Sequence, residues 1–176
     1  MPITIKDVKV ITTQYNRQRQ VIVKVITSED GLYGLGCATF TQRFHAVVAA
    51  LKGHIIPFAI GRDVSRIEEM FNMLMVSGYW RNGPVLNNAI SGIDQALWDI
   101  KGKHLGVPVY ELLGGAVRKK MKMYCWIGGD NPEVVVEQAR EKVGQGYKAV
   151  KMNATGAFNW IDSQKKINAV AQNIKM

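Results

Sequence analysis

The side chains of this 176-residue sequence that could carry nucleophilic, metal-binding or acid–base chemistry are spaced poorly for it. Cys37 and Cys125 lie far apart and lack metal-ligand spacing, so they are expected to be buried free thiols without a chemical role. His45, His54 and His104 form no close pattern and read as surface or helix-end residues rather than ligands. Asp94 and Asp99 resemble a general acid–base pair, but at a spacing of five on a helix they point in different directions. A structural role is expected for both. The densest basic group, Arg118, Lys119, Lys120 and Lys122, sits at an apparent junction, and the other basic residues are scattered. The net charge of +9 therefore reads as solvated surface, with no nucleic-acid partner. A missing acidic, metal-binding segment would leave the same positive excess.

With chemistry so dispersed, the elements that position it become the question. A hydrophobic content of 47% and a charged content of 21% imply a packed core and exclude disorder. No apolar run approaches the roughly 18 residues of a membrane helix. The opening Met1 to Asp7 lacks the basic and then apolar regions of a signal peptide. A cytoplasmic protein without a membrane partner is expected.

From Ile3 to Phe40 the pattern is β. Ile5, Val8 and Val10, then Val21, Val23 and Val25, alternate with other residues, and Glu29-Asp30-Gly31 supplies a turn, predicting three antiparallel strands. Ala46, Ala49 and Ala50 then suggest one helix. Ile67, Met70, Phe71 and Leu74 suggest a second, capped near Asp63 or Ser65. A long third helix follows Pro84, with Ile90, Ile93, Leu97 and Ile100 at helical spacing. Residues Met70, Met73 and Met75 read as ordinary helix and core residues.

Gly114-Gly115 closes this region, so the division is placed at 1–115 and 116–176. Beyond it, strand and helix alternate. Lys122 to Ile127 reads as a strand. Asn131 and Pro132 open a helix whose apolar face is Val136, Ala139 and Val143, ended by Gly144 and Gly146. Tyr147 to Met152 reads as a second strand, and Ile161 to Ile174 as the following segment. Such repeats belong to parallel sheets, either an eight-unit barrel or an open doubly wound sheet. Two units cannot close a barrel, which needs roughly 250 residues. Further chain, or a partner, is expected to cover the open edges.

The segment Ala89 to Lys103, with Pro108-Val109 and Leu112-Leu113-Gly114, resembles the signature of the mandelate racemase and muconate lactonizing branch of the enolase superfamily. Tyr79 to Pro84 and Tyr124 to Asp130 are similar to the galactonate dehydratase group. Gly36 to Arg43 is closer to the mannonate dehydratase group. The resemblance covers the whole chain. It implies an α+β capping domain, with a three-stranded antiparallel sheet plus helices, followed by the first two βα units of a modified (β/α) TIM-type barrel.

Members of this superfamily abstract a proton α to a carboxylate while Mg²⁺ stabilises the enediolate. In the dehydratases the β-hydroxyl then leaves, giving a 2-keto-3-deoxy sugar acid. The resemblance implies this function for the full-length protein, with a galactonate, gluconate or mannonate type of substrate and a homo-oligomeric state. The three carboxylate ligands of Mg²⁺ come from the third to fifth barrel strands in these families, which would lie beyond residue 176. The chain alone is therefore expected to be inactive and to contribute no metal ligand.

What remains for this chain is a handful of candidate positions implied by the resemblance. Racemase-like members carry Lys-x-Lys at the end of the second barrel strand, whereas the residues here are Lys151-Met152-Asn153. Lys151 matches the first Lys and is the candidate catalytic residue, facing an anionic substrate. Asn153 cannot take a proton at neutral pH, which favours the galactonate type, and it is a candidate substrate hydrogen-bond partner. An Arg replaces Lys151 in the mannonate type and works with a later Tyr, and no Tyr follows Tyr147 here. Thr41 aligns with a substrate-contacting Asn of that group. Arg43, for an anion, and Trp126, as a pocket wall, complete the substrate-binding candidates. A non-catalytic interaction protein built on the same frame, and a racemase or epimerase of the same superfamily, are the alternatives.

Overall fold

Alternating valines organise the first sheet. The computed structural model describes residues 2–15, 18–128 and 132–152. Strands β1 (Ile5–Tyr15), β2 (Gln18–Thr27) and β3 (Tyr33–Cys37) pair antiparallel in the order β1-β2-β3, as the alternation predicts. Val21, Val23 and Val25 of β2 are fully buried, because side chains two apart share a face and β-branched residues suit a pleated, half-covered surface. In β1 the buried Ile5 and Val8 stand at an odd spacing. The register slips between Ile5 and Asp7, and this bulge returns both to the core face.

Helical turns cover that face. The run α1 (Phe44–Ala50), a π-helical turn at Leu51–Ile55 and α2 (Ile56–Ala59) is continuous, and α3 (Ile67–Val76), α4 (Pro84–Leu105) and α5 (Val109–Leu112) follow. Pro84 stands in the first turn of α4, where its missing N–H costs nothing, and Gly106 ends the helix at φ 69°. Ile90, Ile93, Leu97 and Ile100 of α4 join Val21, Val23 and Val25 in one core, as the helical spacing predicts.

Two local expectations are corrected. The first helix buries Val47, Leu51, Ile55 and Ala59, while Ala46 and Ala49 face solvent. The larger apolar side chains at i, i+4 spacing gain more from burial than alanines do, so they set the face. No side chain caps α3, whose N-cap residue is Arg66; Asp63 instead accepts the Ser65 N–H at 2.8 Å, an Asx turn that precedes the helix.

Close approach of helix and sheet depends on small residues. A Cβ on Gly36 would stand 1.9 Å from the carbonyl oxygen of Gly92, and one on Gly34 at 1.9 Å from that of Ala96. One on Gly92 would meet Ala38 and Val23 at 2.8 Å. β3 and α4 thus pack backbone against backbone.

The chain falls into two units, Met1–Ala116 and Val117–Met176. In the second, β4 (Cys125–Trp126) and β5 (Val150–Lys151) pair in parallel, with α6 (Pro132–Gly144) between them in sequence. Ile127, Val135 and Ala139 form its buried centre, against which Val150 and Met152 pack. The helix face is therefore Val135, Val136 and Ala139 rather than one that includes Val143, which is 41% exposed. Both strands are shorter than their apolar patterns suggest: Met121, Met123 and Tyr124 are exposed, and the ladder covers only Cys125 N–H to Ala149 O at 3.0 Å and Ile127 N–H to Lys151 O at 2.9 Å besides the paired residues. The segment Ile161 to Ile174 lies outside the described residues. Both cysteines are free, but Cys37 is exposed and Cys125 half-buried rather than buried. Cys37 points away from the core because it sits on the outer face of β3, between the buried Gly36 and Ala38. Among the described residues no helix is long and apolar enough to cross a membrane.

Candidate functional site

The parallel pairing of β4 and β5 sets Trp126 directly beside Lys151. Strand alternation sends Ile127, Val150 and Met152 toward α6 and Tyr124, Trp126 and Lys151 to the other face. The Lys151 ammonium lies 5.7 Å from the centroid of the Tyr124 ring and 5.7 Å from that of Trp126. Two aromatic faces thus flank one cation, at a separation where ring quadrupoles attract it. Trp126 is 52% exposed, so it belongs to a surface or a pocket wall and not to the core of its unit. Beyond Trp126, the side-chain amide of Gln138 on α6 holds Gly128 at both backbone groups. Its Oε1 accepts the Gly128 N–H at 3.1 Å, and its Nε2 donates to the Gly128 carbonyl.

The other candidates belong to the first unit. Thr41 and Arg43 lie on one 3₁₀ turn, Thr41–Arg43, and both are exposed. Nη1 of Arg43 donates to the Gln42 carbonyl at 2.9 Å, which folds the guanidinium back on its own turn. The turn is fixed at both ends. On its N-terminal side Gln95 of α4 accepts the Cys37 N–H at 3.0 Å, and Thr39 Oγ1 accepts the Val21 N–H at 3.1 Å. On its C-terminal side the Arg19 guanidinium of β2 lies 4.7 Å over the ring of Phe44, the first residue of α1.

The structure thus brings Trp126 to Lys151 in one unit and Thr41 to Arg43 in the other. Asn153 lies outside the described residues. Asp94 and Asp99 do not form a pair: Asp99 accepts hydrogen bonds from Leu35 N–H at 2.8 Å and Lys103 Nζ at 2.7 Å. Asp94 faces α3, where burial first and the charge of Glu68 second hold its carboxyl above the ordinary range. His45, His54 and His104 are exposed, and His45 stacks against Phe44 at 3.8 Å between centroids. Among the described residues no three His, Cys, Asp or Glu side chains gather as a metal site would require. Two participants escaped the sequence reading. Tyr124 was legible from its two-residue spacing to Trp126, whereas Gln138 left no signal, because a helix-surface Gln is unremarkable until its strand is placed.

Residues 2–114 match the family described as mandelate racemase / muconate lactonizing enzyme, N-terminal domain. A D-galactonate dehydratase family member of Catenulispora acidiphila is 51% identical over 152 residues, covering 86% of this chain and 35% of the relative. A D-galactonate dehydratase of Xanthomonas euvesicatoria pv. vesicatoria is 42% identical, with 90% and 41% covered. The crystal structure of an enolase from Pantoea ananatis, with bound D-gluconate and Mg, superposes with a TM-score of 0.79 at 51% identity, covering 86% of this chain and 36% of that one. The chain therefore spans about a third of the length of these first relatives. The sheet and helices of the first unit are the capping domain of such enzymes, and the parallel strand–helix–strand unit agrees with the opening of their barrel. The chain belongs to the mandelate racemase / muconate lactonizing enzyme family, with residues 2–114 as its N-terminal domain.

Proposed function

We propose that this chain supplies the capping domain, residues 1–115, and the first barrel strands, residues 116–176, of an enzyme that dehydrates a sugar acid. The acid is of the galactonate, gluconate or mannonate type, and the product is the 2-keto-3-deoxy acid formed through an enediolate. The observation that carries this reading is the Lys151 ammonium between Tyr124 and Trp126, at the C-terminal ends of two parallel strands and on the face away from α6. Active sites of (β/α) barrels gather at that end of the strands. The names of the relatives, and the gluconate in the Pantoea ananatis enolase, support a sugar acid as the substrate class.

In this reading Lys151 attracts the substrate anion, and its long stem is kept in place by the two rings. Trp126 and Tyr124 exclude water beside it and offer flat surfaces to the C–H face of a sugar chain. Asn153, which follows closely in the sequence, is assigned to donate to or accept from a substrate hydroxyl. Thr41 and Arg43 come from the capping domain, the first as a hydroxyl partner and the second as an anion contact. Mg²⁺ in such enzymes stabilises the enediolate. The described residues do not fit it, since they offer no gathered set of carboxylates, and outside them the sequence adds only Asp130 and Asp162 as acidic side chains. The residues of this chain are therefore assigned to binding and orienting the substrate.

The test is a Mg²⁺-dependent dehydration assay over a panel of sugar acids. It compares the 176-residue chain with the complete product of its gene. Activity confined to the complete product, for one or more of the three acids, is the expected result. Turnover by the 176-residue chain alone would overturn the assignment of its residues to binding only.

A further inference from the structure

Trp126 projects from the last position of β4, and nothing in a strand end by itself fixes an indole of that size. Two observations bear on what does. The position a Cβ would take on Gly128 lies 3.3 Å from the Trp126 Nε1, so the indole reaches forward along the chain to lie against Gly128. Gly128 is in turn held by Gln138 of α6, at its N–H and its carbonyl together. A carboxamide that accepts from the N–H and donates to the carbonyl of one residue restrains the two peptide groups on either side of its Cα together.

We propose that Gln138 is a positioning residue that acts through Gly128 to hold Trp126 beside Lys151. The chain of contacts runs from α6 to the strand end, to the indole, and to the cation 5.7 Å from its centroid. It explains why a polar residue occupies a half-buried place on α6 next to the buried Val135, Val136 and Ala139. The packing of the unit does not need an amide there. The geometry of Gly128 does. The functional part of the proposal rests on the reading of Lys151 and Trp126 as substrate-facing.

The test uses the full 176-residue chain, labelled with ¹⁵N, with the Trp126 indole N–H assigned through Trp126→Phe. Gln138→Met keeps the volume and removes both hydrogen bonds. It is expected to shift or broaden the Trp126 indole resonance and to speed hydrogen exchange at Gly128 by about tenfold. An unchanged indole resonance in this variant overturns the proposal. Gln138→Glu separates hydrogen bonding from packing. Its ionised carboxylate can accept the Gly128 N–H but cannot donate to the carbonyl, whereas the protonated form does both. The indole resonance should therefore return toward that of the parent on acidification through about pH 4.3, the ordinary glutamate value. A displacement independent of pH would mean that shape alone matters, against the proposal.

In the complete gene product, Gln138→Met is expected to lower kcat/KM for the sugar acid about tenfold, chiefly through KM, as misplacement of a pocket wall should. Lys151→Met serves as the reference. If that variant retains full activity, the substrate-facing reading fails, and the clamp stands or falls on the indole resonance alone. If it loses activity while Gln138→Met does not, the positioning role is overturned.

Discussion

The carboxylate of Asp99 on α4 accepts the N–H of Leu35 on β3 at 2.8 Å, a contact between a helix and the outer edge of a sheet. It is one rung of a ladder. Gln95 accepts the Cys37 N–H at 3.0 Å and donates to the Cys37 carbonyl at 3.4 Å, and Lys103 donates to the Tyr33 carbonyl at 2.9 Å. Four residues along a helix rise about 6.0 Å, and two along a strand about 6.8 Å, so the two series stay nearly in step over three rungs. Gln95, Asp99 and Lys103 take the place of a fourth strand and satisfy an edge that would otherwise invite pairing with another chain.

Removing the central rung should be costly for a partly exposed side chain. Asp99→Ala leaves the Leu35 N–H without its acceptor and Lys103 without its ion pair at 2.7 Å. A loss of about 1–2 kcal/mol in urea unfolding is expected, with faster amide exchange at Leu35. Asp99→Asn, which keeps an acceptor oxygen, should lose about half as much.

The close packing of β3 on α4 makes a sharper prediction. Gly36→Ala places a methyl group 1.9 Å from a backbone oxygen that cannot swing aside, so the helix must move. A loss of about 3 kcal/mol or more is expected, enough to leave much of the chain unfolded at moderate urea. Gly53→Ala is the counterpart. Gly53 lies in the helical run at Leu51–Ile55, and a Cβ there meets nothing within 4 Å. That substitution should stabilise by roughly 0.5–1 kcal/mol. Denaturant midpoints that move the same way for both variants would contradict the packing described.

Where the sequence was sufficient, periodicity did the work. The valines of β2 and the isoleucines of α4 predict their faces because large apolar side chains at regular spacing have one economical arrangement. Ala46, Ala49 and Ala50 do not mark the buried face of the first helix, because their small side chains gain little from burial, while Val47, Leu51 and Ile55 decide it. The signature helix revealed that Asp99 is structural but not how, since its partner Leu35 is 64 residues away. For the site, Lys151 and Trp126 came from resemblance alone, and only the register of two short strands shows them side by side. Gln138 was invisible for the same reason.

Asp94 gives the first unit a pH-dependent weakness. Burial, reinforced by Glu68, holds its folded carboxyl above the ordinary value, so the ionised form is worse off in the folded chain than in the unfolded one. At strongly acid pH both states are protonated and the group contributes nothing. As pH rises through the unfolded value of about 3.9 and then through the raised folded value, stability is lost, and the deficit is complete above the latter. Asp94→Asn should therefore melt higher than the parent at about pH 7, and the advantage should close toward about pH 3. A gain that persists unchanged in acid would show that the amide helps by some other route than charge.

Lys151 is the position on which the functional reading is most exposed. Its side chain lies on the surface, flanked by rings rather than buried, so Lys151→Met should leave unfolding within about 0.5 kcal/mol of the parent. If the ammonium meets the substrate anion, the same change in the complete gene product should lower kcat/KM by about tenfold to a hundredfold, the range of a lost charge-assisted contact. Trp126→Leu removes one wall but leaves the charge, and a smaller loss, carried by KM, is expected. Raising the salt concentration should weaken substrate binding by the parent but hardly affect Lys151→Met, because the screened attraction is already gone. Equal salt dependence in the two proteins would place the anion contact elsewhere, with Arg43 on the capping-domain turn as the next residue to test.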